Sequence, residues 1–161
     1  MSLIVEDGTG LTTAEAYVSV ADADAYHTAY GNTGWTGTEA AKEIALRRAT
    51  QYIDSRYRFR GVRKDSDQAL EWPRVGYEPD GRTESWPPTL LEQACCEAAL
   101  RALSDTLRAD ASADQVVEET VGPITVRYAG KSGQTRYPVV DDLLSRYAMP
   151  TGLFARLERA S

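Results

Sequence analysis

Small apolar residues recur every three or four positions in two long segments of this chain. In the first segment, which runs from about Thr38 to Ser55, they are Ala41, Ala45, Ala49 and Ile53. In the second, they are Leu91, Ala94, Cys95, Ala98, Ala102 and Leu103. This spacing is typical of one buried face of an α-helix. Alanine at the contact positions lets helices approach closely, so we expect a tightly packed helical core.

Capping and turn residues predict where the helices begin and end. Ser19, three residues before Asp22, predicts the start of a short helix that ends at about Tyr30. Thr36 and Glu39 form a second candidate start, ahead of the first long segment. Pro87 and Pro88 open the second long segment, which is expected to continue to about residue 107.

Apolar and polar residues alternate late in the chain, which predicts a β-hairpin over about residues 116–128. Pro138 then starts a last short helix. The predicted fold class is mainly α: a small helical bundle with a projecting β-hairpin and extended terminal arms. With 161 residues, a single domain over residues 1–161 is expected, with the helical core at about 19–108 and 138–149.

Composition favours a soluble protein. No apolar run approaches the roughly 18 residues of a membrane span, and the N-terminus lacks the pattern of a secretory signal. The two cysteines, Cys95 and Cys96, are neighbours that would form only a strained bridge, so we expect reduced thiols in the cytosol. The net charge of −6 argues against general affinity for nucleic acid, although it leaves room for a local patch.

Such a patch lies between Arg47 and Gly76. The stretch carries eight basic residues and four acidic ones, so it is positive in a chain that is negative overall. This asymmetry suggests a surface for a charged partner. A connection punctuated by glycine and proline, from about residue 60 to residue 87, belongs to the same region. A connection of this length in a compact domain is often functional.

Base and aromatic residues alternate at Arg56-Tyr57-Arg58-Phe59-Arg60. In an extended backbone the three arginines would face one way and the two rings the other. Two interpretations stay open. The cations and rings can bind single-stranded nucleic acid, or the rings can pack inward while the arginines are solvated or pair with acids of a neighbouring subunit.

Seven residues of this region are the candidate contact residues. The candidates for contact with nucleic acid or with a subunit are Arg56, Arg58, Arg60, Arg63 and Lys64. Trp72 and Arg74 are candidates for an interface or for the anchor of the connection, because tryptophan and arginine are enriched at interface hot spots.

No set of residues predicts catalysis. His27 is the single histidine, so a catalytic triad would have to use it, but no serine lies in a nucleophile elbow, and no second histidine is present to share a metal. The adjacent carboxylates, such as Asp141 and Asp142, fall in helix first turns or polar turns. We therefore expect no enzyme, no cofactor and no metal.

Several segments carry a family resemblance. ATQYIDSRYRFRG, QALEWPRVG and PPTLLEQACCEAALRAL resemble the DnaT-like proteins of tailed phages and prophages. The opening SLIVEDGTGLTTAEAYVSVADADAYH and the late VGPITVRYAG and YPVVDDLL fit the same family. The resemblance covers nearly the whole chain. That group is similar to the head–tail connector proteins, also called adaptor or head-completion proteins.

The resemblance implies two functions. The preferred one is a neck adaptor subunit that forms a ring, twelvefold on the portal, and lines the DNA path. Its partners would be further copies of itself, the portal protein, the tail-completion protein and weakly contacted double-stranded DNA, with no membrane. It would reside in the bacterial host cytoplasm during assembly and in the virion neck afterwards. The alternative is a DnaT-like single-stranded DNA-binding protein. The connector is preferred because of the resemblance over nearly the whole chain, the lack of any catalytic set and the extended arms at both ends, and the negative net charge counts against the alternative.

Overall fold

Four helices dominate the fold, as predicted. The computed structural model describes residues 2–78, 81, 86–107, 118–121, 124–127 and 136–150. In chain order, its elements are α1 (Val20–Ala29), α2 (Glu39–Arg56), β1 (Val62–Arg63), β2 (Arg74–Val75), α3 (Thr89–Ser104), β3 (Glu118–Val121), β4 (Ile124–Arg127) and α4 (Pro138–Leu144). This confirms the mainly α fold class with an antiparallel hairpin.

The centre of the core is the contact between α2 and α3. The alanines of the two predicted stripes lie there: Ala45 and Ala49 on α2 and Ala94 and Ala98 on α3 are all at most 1% exposed. Helices α1 and α4 pack against α3 as well. The small side chains let the two long helices approach closely, as the sequence pattern predicted.

The side-chain caps define the starts of the first two helices. The Ser19 hydroxyl accepts a hydrogen bond of 3.1 Å from the Asp22 amide, as predicted. For α2 the predicted cap was wrong by two residues, because Thr38, and not Thr36, accepts the bond from the Ala41 amide at 3.2 Å. Helix α3 ends at Ser104, three residues earlier than predicted, since the next residue is extended.

Residues 2–18 precede the first helix and pack against the helical core. Tyr17 is buried, and Val5 pairs with Ala16 in a single parallel bridge. The buried Glu6 carboxylate accepts hydrogen bonds of 2.9 Å from the amides of Gly8, Gly10 and Leu11. The sequence GTG therefore forms a turn around a carboxylate.

The connection after α2 contains structure that the sequence did not predict. Strands β1 and β2 form a two-residue antiparallel ladder in which Val62 pairs with Val75 and Arg63 with Arg74. Strands this short carry no periodicity, so pattern analysis found only a loop.

The later hairpin was predicted, and its strands β3 and β4 pair antiparallel from Glu118↔Arg127 to Val121↔Ile124. The rest of the predicted hairpin, 116–117, 122–123 and 128, and the predicted C-terminal arm at 151–161 lie outside the described residues. Among the helices that the structure describes, none has the length and apolarity needed to cross a membrane.

Candidate nucleic-acid interface

The basic segment turns into an extended strand where α2 ends. Tyr57 has φ −103° and ψ 142°, and Phe59 forms an antiparallel bridge with Ala148. The Met149 amide donates to the Arg58 carbonyl at 2.7 Å. This extended backbone separates the alternating side chains: Phe59 is buried, whereas the arginines on either side of it line a groove.

That groove, which we call the arginine groove, has a volume of about 710 Å³. Arg56, Arg58 and Arg60 line one side, and the other side comes from the segment that holds α4, with Arg136 and Asp141. Four arginines therefore face one carboxylate. The bridge between Phe59 and Ala148 brings the two sides together, although they are far apart in the sequence.

Three of these arginines are available to a ligand. The guanidinium groups of Arg58 and Arg136 are exposed and have no hydrogen-bond or ion-pair partner among the described residues. Arg60 makes one long hydrogen bond, of 3.4 Å, to the Ala148 carbonyl, and it lies 5.7 Å from the ring centroid of Tyr77. Exposed arginines of this kind can bind phosphate oxygens in bidentate fashion.

The fourth arginine takes part in a cluster with the single carboxylate. Arg56 Nε lies 3.9 Å from Asp141 Oδ1, and the Tyr57 hydroxyl donates a hydrogen bond to the same oxygen. Burial, together with this hydrogen bond, holds the pKa of Tyr57 well above its usual range, so the phenol stays neutral. The charge of Asp141 is thus compensated locally, and the groove is positive.

The other candidate residues hold the connection together. Arg63 donates long hydrogen bonds of 3.4 Å to the carbonyls of Ser66 and Gln68. Lys64 Nζ donates to the Gly8 carbonyl at 2.7 Å. Neither residue lines the arginine groove.

Trp72 and Arg74 are anchors of the connection. Trp72 is 5% exposed and packs edge-on against Phe59 and Tyr147, with ring centroids 5.6 and 5.3 Å away. The Arg74 guanidinium donates to the carbonyls of residues 59, 60, 61 and 71 at 2.8–3.3 Å and pairs with the Glu71 carboxylate at 2.9 Å. These contacts join the connection to its neighbours in the same chain, and the interface role of the two residues stays a prediction.

A buried network ties this connection to α2. The Tyr17 hydroxyl donates to Asp54, whose other carboxylate oxygen accepts from the Glu71 amide at 3.1 Å. The Trp72 amide donates to the Tyr17 oxygen at 3.3 Å. Burial raises the pKa of Asp54 to about 6.

Two residues of the interface were missed by sequence analysis. Arg136 reaches the groove from just before α4, and Tyr77 lies beneath Arg60. Nothing in their local sequence marks either one, since tertiary contacts place them there: the bridge between Phe59 and Ala148 for Arg136, and the β1–β2 ladder for Tyr77.

His27 and the acidic residues were the remaining candidates for chemistry. His27 is buried, and it packs against Trp35 at 4.6 Å and contacts the Asn32 amide at 3.1 Å. No group of three histidine, cysteine or acidic residues among the described residues can hold a metal ion. That the protein is not an enzyme stays a prediction.

A family model matches residues 1–160 of the chain, and its description is "Putative DnaT-like ssDNA binding protein". The chain belongs to this DnaT-like family. No curated protein and no solved structure matches it significantly.

Our preferred sequence-based function, the head–tail connector, is therefore wrong. The family is described by single-stranded DNA binding, which was our alternative. The preference depended on the resemblance over nearly the whole chain, the lack of a catalytic set of residues and the extended arms at both ends, while the negative net charge counted against the alternative. The structure shows that four arginines converge on one groove despite this net charge. The expected ring, portal and tail-completion partners, lumen DNA and location stay predictions from the sequence.

Proposed function

We propose that this DnaT-like protein binds single-stranded DNA, with the phosphates of the strand in the arginine groove. The observation that carries the proposal is the convergence of Arg56, Arg58, Arg60 and Arg136 on one groove, where the described residues supply a single carboxylate. The description of the family supports the same ligand. Arginine side chains recognise phosphate by charge-assisted, bidentate hydrogen bonds.

The charge of the whole chain does not oppose this site. Interactions between exposed charges are largely screened beyond about 8–10 Å at physiological salt, so a local cluster of arginines determines the potential that a phosphate meets there. Repulsion by the remaining acids does limit how far a stiff duplex can extend over the surface. A flexible single strand can follow the groove and avoid them.

Aromatic rings beside the arginines are a second feature that favours single-stranded DNA over a duplex. Tyr57 lines the groove, and Tyr77 lies below the Arg60 guanidinium. Sites for single-stranded nucleic acid combine cations for the backbone with rings that stack on the unpaired bases. A duplex hides the faces of its bases, so it cannot use these rings.

Fluorescence anisotropy with a labelled oligonucleotide tests the proposal, with a duplex of the same sequence as the comparison. We expect the single strand to bind more tightly than the duplex. With three available arginines, the logarithm of the association constant should fall with the logarithm of the salt concentration with a slope of about −2. Failure to bind single strands at protein concentrations up to about 10⁻⁴ M in low salt would contradict the proposal.

A further inference from the structure

A second cleft lies beside the arginine groove, between the N-terminal turn and residues 72–78. Its volume is about 360 Å³, within the range of about 300–1,000 Å³ that ligand pockets span. The residues that line it include Trp72, Trp86, Tyr77 and Lys64. We propose that this cleft, which we call the aromatic cleft, takes one nucleobase of the bound strand. This inference rests on the proposed function.

The aromatic cleft and the arginine groove meet at the contact between Arg60 and Tyr77. Arg60 lines the groove, and its guanidinium carbon lies 5.7 Å from the ring centroid of Tyr77, which lines the cleft. A strand whose phosphate contacts Arg60 therefore has its adjoining base within reach of the rings. Cations that follow the backbone and rings that stack on bases form the usual pair of elements in such sites.

The walls of the cleft are held in place without a ligand. The Trp86 indole donates to the Glu6 carbonyl at 3.3 Å and packs on Gly8, where a Cβ would lie 2.5 Å from the Trp86 ring. The Tyr77 hydroxyl donates to the Arg146 carbonyl. Both rings are still partly exposed. Rings fixed beforehand lose little conformational entropy when a base stacks on them.

The polar groups of the cleft fit a base better than a phosphate. Lys64 donates to the Gly8 carbonyl and, as an ammonium with three donors, can donate again to a base carbonyl or ring nitrogen. Glu78 also lines the cleft, and its carboxylate would repel a phosphate. A carboxylate can accept a hydrogen bond from the exocyclic amino group of cytosine. The aromatic cleft therefore offers rings that can stack on a nucleobase, together with one hydrogen-bond donor and one acceptor for its edge.

An abasic oligonucleotide separates this inference from the proposed function. Wild-type protein is titrated with a deoxycytidine oligomer of about 12 nucleotides and with an abasic oligomer of equal length and charge, by fluorescence anisotropy. We expect the deoxycytidine oligomer to bind about tenfold more tightly, or better. Equal affinity for the two oligomers would overturn the base subsite and leave the proposed function intact. Binding of neither would overturn both.

Two variants place the effect in the aromatic cleft. Tyr77→Ser and Trp86→Leu should each weaken binding of the deoxycytidine oligomer about tenfold and change binding of the abasic oligomer by less than about twofold. Tyr30→Ser is the matched control, because Tyr30 is a tyrosine that is 62% exposed and lies outside the cleft. Equal losses for both oligomers in the cleft variants would mean a purely structural role and would overturn the inference.

Photocrosslinking provides a test that needs no variant to fold. Wild-type protein is irradiated with an oligomer that contains 5-iododeoxycytidine, and the adducts are mapped by mass spectrometry. Adducts at Tyr77 or Trp86 are the expected result. Adducts confined to residues outside the cleft would overturn the inference.

Discussion

At the scale of single residues, arginines of the same basic stretch differ in what their side chains contact. Arg58 lines the arginine groove, and its guanidinium has no hydrogen-bond or ion-pair partner among the described residues. The Arg74 guanidinium, by contrast, donates to four carbonyls and pairs with one carboxylate. Sequence alone does not separate them, since both are arginines in a basic stretch. The difference depends on which backbone atoms surround each side chain after folding.

Asp54 predicts a pH dependence of stability. Its pKa is about 6 in the folded protein because burial disfavours the charged carboxylate, compared with 3.8 for an ordinary aspartate. The folded state therefore binds the proton more tightly than the unfolded state. This contribution to stability is fully present below about pH 4 and is lost as the pH rises through about 6.

Asp54→Asn should remove that contribution. The wild type should exceed the variant in free energy of unfolding by more at pH 4 than at pH 7. This excess should change by up to about 3 kcal/mol between the two pH values. Urea denaturation at the two pH values measures both proteins. A difference that grows toward pH 7 would show that the carboxylate is stabilised in its charged form instead.

At the scale of elements, the helices were predictable and the connection was not. The alanine stripes of α2 and α3 repeat at helical spacing, so the sequence predicted both helices and the contact between them. The alternation after α2 also predicted that Arg56, Arg58 and Arg60 share one side. The opposite wall of the groove was not predicted, because Arg136 arrives through a tertiary bridge between Phe59 and Ala148.

The β1–β2 connection should depend on the fork geometry of Arg74. Arg74→Lys keeps the charge near Glu71 but cannot donate to so many carbonyls at once. We expect the variant to lose about 1 kcal/mol or more of unfolding free energy, because several carbonyls, most of them in partly buried hydrogen bonds, are left without donors. Arg63→Lys, across the same ladder, is the control and should change stability by less than about 0.5 kcal/mol. Equal losses in the two variants would contradict the anchoring role of Arg74.

At the scale of the whole molecule, the distribution of charge matters more than its sum. The chain carries 18 basic and 24 acidic residues, and this balance counted against the DNA-binding alternative when the connector was preferred. The fold gathers four arginines around one groove and pairs other cations with acids, such as Lys42 with Asp24 at 2.7 Å. A net charge cannot report such clustering, because it contains no information about position.

Two arginine-to-glutamate substitutions at different places in the structure test the claim that single-stranded DNA binds in the arginine groove. The side chains of Arg58 and Arg48 are both exposed, and neither guanidinium has a hydrogen-bond or ion-pair partner among the described residues. Only Arg58 lines the arginine groove, and Arg48 lies on α2 about 12 Å before the end of that helix. Each substitution by glutamate changes the net charge equally.

The measurement is the affinity of Arg58→Glu and of Arg48→Glu for a single-stranded oligonucleotide, by fluorescence anisotropy at physiological salt. Arg58→Glu should weaken binding by about tenfold or more, since it removes a charge-assisted contact to phosphate and adds a repulsive one. Arg48→Glu should weaken binding by no more than about twofold, because screening attenuates its charge over that distance. Equal effects of the two substitutions would contradict DNA binding in the arginine groove.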